Sequence, residues 1–192
     1  MKQKSHPFVV FVAALLGLFS APVFAEQSTV IKAGSLFDSQ SGRVTRNAVI
    51  VIEGEKIVAV GGPSTPVPDG ANIIDLSNSF VLPGVMDMHT HIVGNLDNYY
   101  FAGYFQSPHR ATIGGVVNAE KTLLAGFTTI RNVGAGDYAD IAIRNAINAG
   151  EIPGPRMAVS GPGLGITGGH CDNNSLNASF EERSDGVADG PW

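Results

Sequence analysis

The chain has 192 residues, of which 44% are hydrophobic and 15% charged, and its formal net charge is −5. This length allows one well-packed core, or a small domain together with part of a larger one. An acidic chain without a cluster of basic residues is poorly suited to binding nucleic acid or an anionic membrane surface. The single cysteine, Cys171, excludes an internal disulfide framework.

Residues 1–25 have the three parts of a secretory signal peptide. Lys2 and Lys4 precede the apolar stretch Phe8–Phe19, and small residues end the segment at Ala25, where we predict cleavage. The alternative is a membrane anchor, but the stretch is shorter than the about 20 residues that a bilayer requires. Cleavage leaves 10 basic and 17 acidic residues, a net charge of −7. We therefore expect an exported protein, periplasmic or secreted, without stable membrane insertion.

Residues 26–80 contain short β-branched segments separated by turn residues, which predict strands. These segments are Thr29–Ala33, Ala48–Ile52, Lys56–Val60, Asn72–Leu76 and Ser79–Leu82. Gly54 lies between the second and third segments and predicts a hairpin. Ser77 and Asn78 predict another hairpin between the last two. The expected structure is a small antiparallel sheet.

After Pro83 and Gly84, predicted strands alternate with segments of helical periodicity. The strands are Val85–Ile92, Phe127–Ile130 and Arg156–Ser160, and the helices contain Ile113–Leu124 and Ala139–Ile147. This order predicts parallel pairing with right-handed crossovers, and therefore an α/β fold. Residues 161–192 are rich in Gly, Asp, Asn and Ser and predict a long loop. We expect residues 81–192 to form three β/α units of a truncated barrel.

The segment that carries chemistry is the predicted strand with Asp87, His89 and His91. Alternate side chains of a strand share a face, so both imidazoles would lie about 6–7 Å apart on one side and could bind one metal ion. Asp87 lies one step deeper and is predicted to orient a ring rather than bind the metal. Paired histidines also occur as packed or surface residues. The carboxyl end of a barrel strand, however, is where such folds place their active sites.

The order of these motifs resembles the amidohydrolase superfamily. The resemblance rests on Leu82–His91 and Leu124–Arg131, and it covers about residues 29 to 190. Arg131–Gly134 and Gly168–Asp172 are similar to the branch with Xaa-Pro dipeptidases and imidazolonepropionase-related enzymes. The resemblance implies the N-terminal part of a (β/α)8 TIM barrel, preceded by strands of a small β-sandwich that both chain ends form.

The same resemblance implies a metal centre built from five barrel strands. Its ligands are two histidines of strand 1, a carboxylated Lys of strand 4, histidines of strands 5 and 6, and an Asp of strand 8 that also handles the proton. Only His89 and His91 can be carried over, so no catalytic residue is assigned before Trp192. One or two divalent ions are implied, with zinc favoured by the imidazole ligands. Asn132 departs from the family, in which Asp is commoner.

Further candidates lie in two predicted loops. His170 follows the third barrel strand, and the resemblance implies contact with a substrate carboxylate; the alternative is a solvated histidine. Cys171 is predicted to be an inert small residue, and His109 to be structural. The loop Asn95–Ser107 carries five aromatic residues that either rim the active site or pack on the barrel top.

The predicted function is metal-dependent hydrolysis of an amide or peptide C–N bond in a small molecule, through a metal-activated water. An Xaa-Pro dipeptide or an N-acyl amino acid is the expected substrate, and these 192 residues alone are expected to be inactive. The alternatives are a cyclic amidohydrolase related to imidazolonepropionase, or a vestigial truncation without catalysis. No nucleic-acid partner is expected, and the oligomeric state is left open.

Overall fold

The computed structural model describes residues 27–94, 105–173, 177, 179 and 184–191. The chain divides into two compact units, Met1–Leu82 and Pro83–Trp192. The predicted signal peptide lies outside the described residues. Within the described ranges, no helix has the length and hydrophobicity needed to cross a membrane.

The first unit contains a mixed sheet of four strands in the order β3-β2-β1-β4. The strands are β1 (Thr29–Asp38), β2 (Arg43–Glu53), β3 (Lys56–Gly61) and β4 (Asn72–Val81). β2 pairs antiparallel with both β1 and β3, whereas β4 pairs parallel with β1. The hairpin predicted around Gly54 is confirmed as the β2–β3 connection, where Gly54 has a φ of 56°.

The second predicted hairpin is wrong, because Asn72–Val81 is one continuous strand. Ala33 of β1 pairs with Leu76 and Ser35 pairs with Phe80, so the single residue Gly34 lies opposite residues 77–79. This polar triplet forms a bulge in β4 instead of a turn. A Cβ atom at Gly34 would overlap the carbonyl oxygen of Ser77. The expectation of an antiparallel sheet is wrong for β4, because this strand pairs parallel with β1.

The core of this sheet comes from its two central strands, β1 and β2. One buried cluster consists of Ala33, Leu36, Ala48 and Ile50, and a second consists of Val30, Val49 and Val51. Consecutive residues 48–51 are all buried. Since successive side chains of a strand point to opposite faces, both faces of the sheet carry apolar contacts.

The second unit contains three parallel strands in the order β5-β6-β7. Its elements are β5 (Val85–Thr90), α1 (Pro108–Leu124), β6 (Phe127–Asn132), α2 (Ala139–Asn148) and β7 (Arg156–Val159). A short 3-10 turn, Gly136–Tyr138, precedes α2. The predicted alternation of strands and helices, and the parallel pairing, are confirmed.

Local signals explain where α1 begins and ends. The Ser107 hydroxyl accepts a hydrogen bond from the backbone N–H of Arg110, and Pro108 occupies the first helical position. Gly126, just after the end of α1, has a φ of 95°. This left-handed conformation suits glycine and turns the chain into β6.

The core of the second unit lies where α1 and α2 cover the sheet. Its buried members are Ile92, Ala119, Ile130, Ile143 and Met157. Ile92 therefore lies on the helix-facing side of the sheet. Met86 and Met88, which precede it at alternate positions of the chain, are 66% and 42% exposed.

Candidate metal-binding site

The two candidate metal ligands lie at the carboxyl end of β5. His89 belongs to the strand, and His91 follows its last residue, Thr90. Their ring centroids are 5.6 Å apart, with an angle of 65° between the ring planes. Both side chains are exposed. The two imidazole rings thus lie close together, and both are accessible to a metal ion from solution.

A backbone carbonyl fixes the orientation of the His91 ring. Nδ1 of His91 lies 3.3 Å from the carbonyl oxygen of Gly134, which follows β6. Because a carbonyl oxygen only accepts hydrogen bonds, this contact requires a proton on Nδ1. In the neutral ring, the lone pair then resides on Nε2, which remains available for a metal ion.

Asp87 acts on the backbone of the histidine segment. Its carboxylate accepts a hydrogen bond of 3.0 Å from the backbone N–H of His89. This contact stabilises the backbone from which the His89 ring extends. The orientation of an imidazole ring by Asp87 stays a prediction.

A buried polar network, which sequence reasoning missed, lies beneath His91. The side-chain oxygen of Asn132 accepts a hydrogen bond of 2.7 Å from the backbone N–H of Ile92. Its amide nitrogen donates to the carbonyl oxygen of Gly134 at 3.2 Å and to the Asp140 carboxylate at 3.0 Å. The side chains of Asn132 and Asp140 are completely buried. The only sequence signal was the departure of Asn132 from the family pattern.

Asp140 extends this network to the third strand. Its carboxylate accepts hydrogen bonds from the backbone N–H of Ile141 at 2.9 Å and of Gly161 at 3.2 Å. Gly161 closely follows the end of β7. The Asn132–Asp140 pair therefore connects the carboxyl ends of all three parallel strands. Every buried side-chain polar atom of the described residues has a hydrogen-bond partner.

The loop with His170 is held by contacts of its own. Gly165 forms a parallel bridge with Val187, and the Thr167 hydroxyl donates to Asp189 at 2.7 Å. His170 is exposed. Cys171 packs against Gly163, where a Cβ atom would lie 3.1 Å from the sulfur. This contact agrees with a packing role for Cys171, and the contact of His170 with substrate stays a prediction.

Two other predicted features receive less support. His109 is exposed near the start of α1, and its structural role stays a prediction. Of the aromatic loop, residues 95–104 lie outside the described residues, so Tyr99, Tyr100, Phe101 and Tyr104 are not placed. Phe105 is 81% exposed.

The chemistry of the two imidazoles fits two ligand positions of a divalent metal ion. Zinc binds imidazole nitrogen readily, and a catalytic zinc usually has three protein ligands. Across the described ranges, no three His, Cys, Asp or Glu side chains are grouped closely enough to hold a metal. His89 and His91 would supply two of the ligands of such a centre.

Comparison with known proteins identifies the family. A sequence model of the amidohydrolase family matches residues 80–191, which is more than half of the chain. The chain belongs to the amidohydrolase family. The resemblance deduced from the motifs, and the α/β fold with part of a barrel, are thereby confirmed.

The relatives of this chain include proteins named for different reactions. Ochratoxinase from Aspergillus niger is 34% identical over 164 residues, which are 83% of this chain and 33% of that protein. The crystal structure of a Xaa-Pro dipeptidase with bound methionine is 32% identical, with a TM-score of 0.72, and the match covers 85% of this chain and 41% of that one. Imidazolonepropionase from Micrococcus luteus is 40% identical over 52 residues, 27% of this chain and 13% of that protein. The chain thus spans about a third of the length of ochratoxinase.

Proposed function

We propose that this chain is part of an enzyme that hydrolyses an amide or peptide C–N bond in a small substrate. The chain supplies two ligands of the enzyme's metal ion. An Xaa-Pro dipeptide or an N-acyl amino acid is the proposed substrate class. The observation that carries the proposal is the pair of imidazole rings 5.6 Å apart at the carboxyl end of β5. The likeness to a Xaa-Pro dipeptidase over 85% of the chain supports the substrate class.

In this proposal His89 and His91 bind a divalent ion, for which zinc is favoured by the nitrogen ligands. Such an ion, when bound, polarises the scissile carbonyl and lowers the pKa of water. The Gly134 carbonyl holds the proton of His91 on Nδ1, so that the lone pair of Nε2 is available for a metal ion. Asp87 stabilises the backbone of His89. The exposed His170 is proposed to contact the substrate carboxylate.

The general base and the remaining ligands are not assigned to these 192 residues. We propose that the active protein combines the three parallel strands described above with further strands of a barrel. The relatives support this proposal, since the chain covers 33% of ochratoxinase and 41% of the dipeptidase structure. Export through cleavage after Ala25 completes the proposal, and N-terminal sequencing of the secreted or periplasmic protein tests it.

A cyclic amide is the alternative substrate, and it is supported by the short match to imidazolonepropionase. The two substrate classes can be compared directly. We would assay the full-length protein that contains these residues with Xaa-Pro dipeptides, N-acyl amino acids and cyclic amides. Higher kcat/KM for the linear amides supports the proposal, and a preference for cyclic amides overturns it.

The metal role is tested in the same protein with His89→Ala and His91→Ala. Both changes should lower the zinc content and abolish hydrolysis, because each removes a ligand. His109→Ala is the matched control, since His109 is an exposed histidine near the start of α1. Unchanged zinc content and activity in a variant that carries both His89→Ala and His91→Ala would refute the proposed function. A wild-type protein that neither binds zinc nor hydrolyses any of these amides would favour the vestigial alternative.

A further inference from the structure

The amide of Asn132 contacts the backbone next to His91 and the carbonyl group that faces the His91 ring. Its oxygen accepts from the backbone N–H of Ile92, the residue after His91, at 2.7 Å. Its nitrogen donates to the Gly134 carbonyl at 3.2 Å, and the same carbonyl oxygen lies 3.3 Å from Nδ1 of His91. The buried side chain therefore holds the backbone that follows His91 directly, and it reaches the His91 ring through the Gly134 carbonyl.

We propose that Asn132 is a positioning residue that fixes the orientation of His91 through the Gly134 carbonyl, and that Asp140 fixes the orientation of the Asn132 amide. This inference rests on the proposed function, because it assumes that His91 binds the metal. The amide nitrogen faces two acceptors, Gly134 and Asp140, while the amide oxygen faces an N–H donor. Only this orientation of the amide satisfies all three contacts.

The proposal explains why an amide suits position 132 in this chain. Asp140 is completely buried and already accepts hydrogen bonds from the backbone N–H groups of Ile141 and Gly161. A carboxylate at position 132 would replace the amide nitrogen with an oxygen, and this one oxygen would face two acceptors, the Asp140 carboxylate and the Gly134 carbonyl. Buried acceptors without a donor are costly, so the contacts would separate.

Two variants of the full-length protein separate positioning from stability. Asn132→Asp keeps the shape but removes the donor. We expect a lower unfolding temperature, and a zinc dissociation constant raised about 10–100-fold, as for other residues that orient metal ligands. The double variant Asn132→Asp/Asp140→Asn restores a donor between the two side chains. It should recover part of the unfolding temperature but not the zinc affinity, because the carboxylate introduced at position 132 still cannot donate to the Gly134 carbonyl.

The measurements are zinc dissociation constants from chelator competition and unfolding temperatures of the metal-free proteins. Ile147→Ala is the control, since Ile147 packs near Gly154, which precedes β7 and so lies at the opposite end of the strands. It should lower the unfolding temperature and leave zinc affinity unchanged. Wild-type zinc affinity in either folded Asn132 variant, or a loss that follows the unfolding temperature across all three variants, would overturn the inference. If His91→Ala also left zinc affinity unchanged, the proposed function itself would fail.

Discussion

Gly115 of α1 faces Ile143 of α2 so closely that a Cβ atom at position 115 would lie 2.5 Å from Cδ1 of Ile143. Both residues are buried, and Ile143 is only 1% exposed. The two helices can pack together here because one of them has no side chain at the contact.

This contact predicts opposite effects at two adjacent glycines. Gly115→Ala should destabilise the second unit by about 1–2 kcal/mol, because overpacking outweighs the better helix propensity of alanine. Gly114→Ala should stabilise it by about 0.5–1 kcal/mol, since nothing lies within 4 Å of a Cβ atom there. Denaturant unfolding measures both, and Ile143→Val in the Gly115→Ala background should recover stability. Equal effects at positions 114 and 115 would contradict the helix contact.

Gly34 provides a similar test in the four-stranded sheet. Gly34→Ala should cost about 1–3 kcal/mol, because the new methyl group would meet the backbone carbonyl of Ser77 and not a side chain that can rotate away. Gly62→Ala is the control, since a Cβ atom at position 62 meets nothing within 4 Å. Its effect should stay within about 0.5 kcal/mol. A stable Gly34→Ala variant would show that β4 does not bulge against Gly34.

The role of Asp87 can be decided by two substitutions in the full-length protein. Asp87→Asn retains an oxygen that can accept from the backbone N–H of His89, whereas Asp87→Ala does not. If Asp87 acts on the backbone, zinc affinity should stay close to wild type in the first variant and fall about tenfold in the second. Equal losses in both variants would instead support the ring-orienting role that the sequence predicts.

Metal removal should lower the stability of the full-length protein. This loss should require both proposed ligands, His89 and His91. A ligand present at about 100 times its dissociation constant stabilises the folded state by about 2.7 kcal/mol. Chelation should therefore lower the unfolding temperature, and added zinc should restore it. His89→Ala should remove most of this response, while His109→Ala should retain it. A response that survives in the His89 variant would place the bound metal elsewhere.

The sequence predicted the parts of this molecule that depend on local periodicity. His89 and His91 were found because alternate residues of a strand share a face, and α1 and α2 because their apolar residues repeat at helical spacing. Gly126 marks the end of α1, because glycine commonly follows the last residue of a helix. Such features depend on residues close together in the chain, so one sequence suffices to reveal them.

Features that depend on distant partners were missed. Ser77 and Asn78 have turn composition, but pairing with the β1 strand made them part of a bulge opposite Gly34. The contact of Asn132 with Asp140 becomes visible only once β6 and α2 are folded together. The identity of an Asn or an Asp alone does not indicate whether the residue belongs to a buried network or to an exposed polar position.

Exposed apolar side chains lie on β5 and α1 of the three-stranded unit. Met86 is 66% exposed and Val117 44% exposed. A cavity of about 720 Å³ lies between α1 and the carboxyl end of β5, and Val117 is among its lining residues. Among the described residues, β5 and β7 form the two edges of this parallel sheet, and unpaired edge strands are prone to pair with another chain. The 192-residue chain expressed by itself should therefore self-associate. Light scattering after gel filtration measures this, with the full-length protein as the control. The opposite result, a monomeric chain with one cooperative unfolding transition, would show that this surface needs no further strands or helices to cover it.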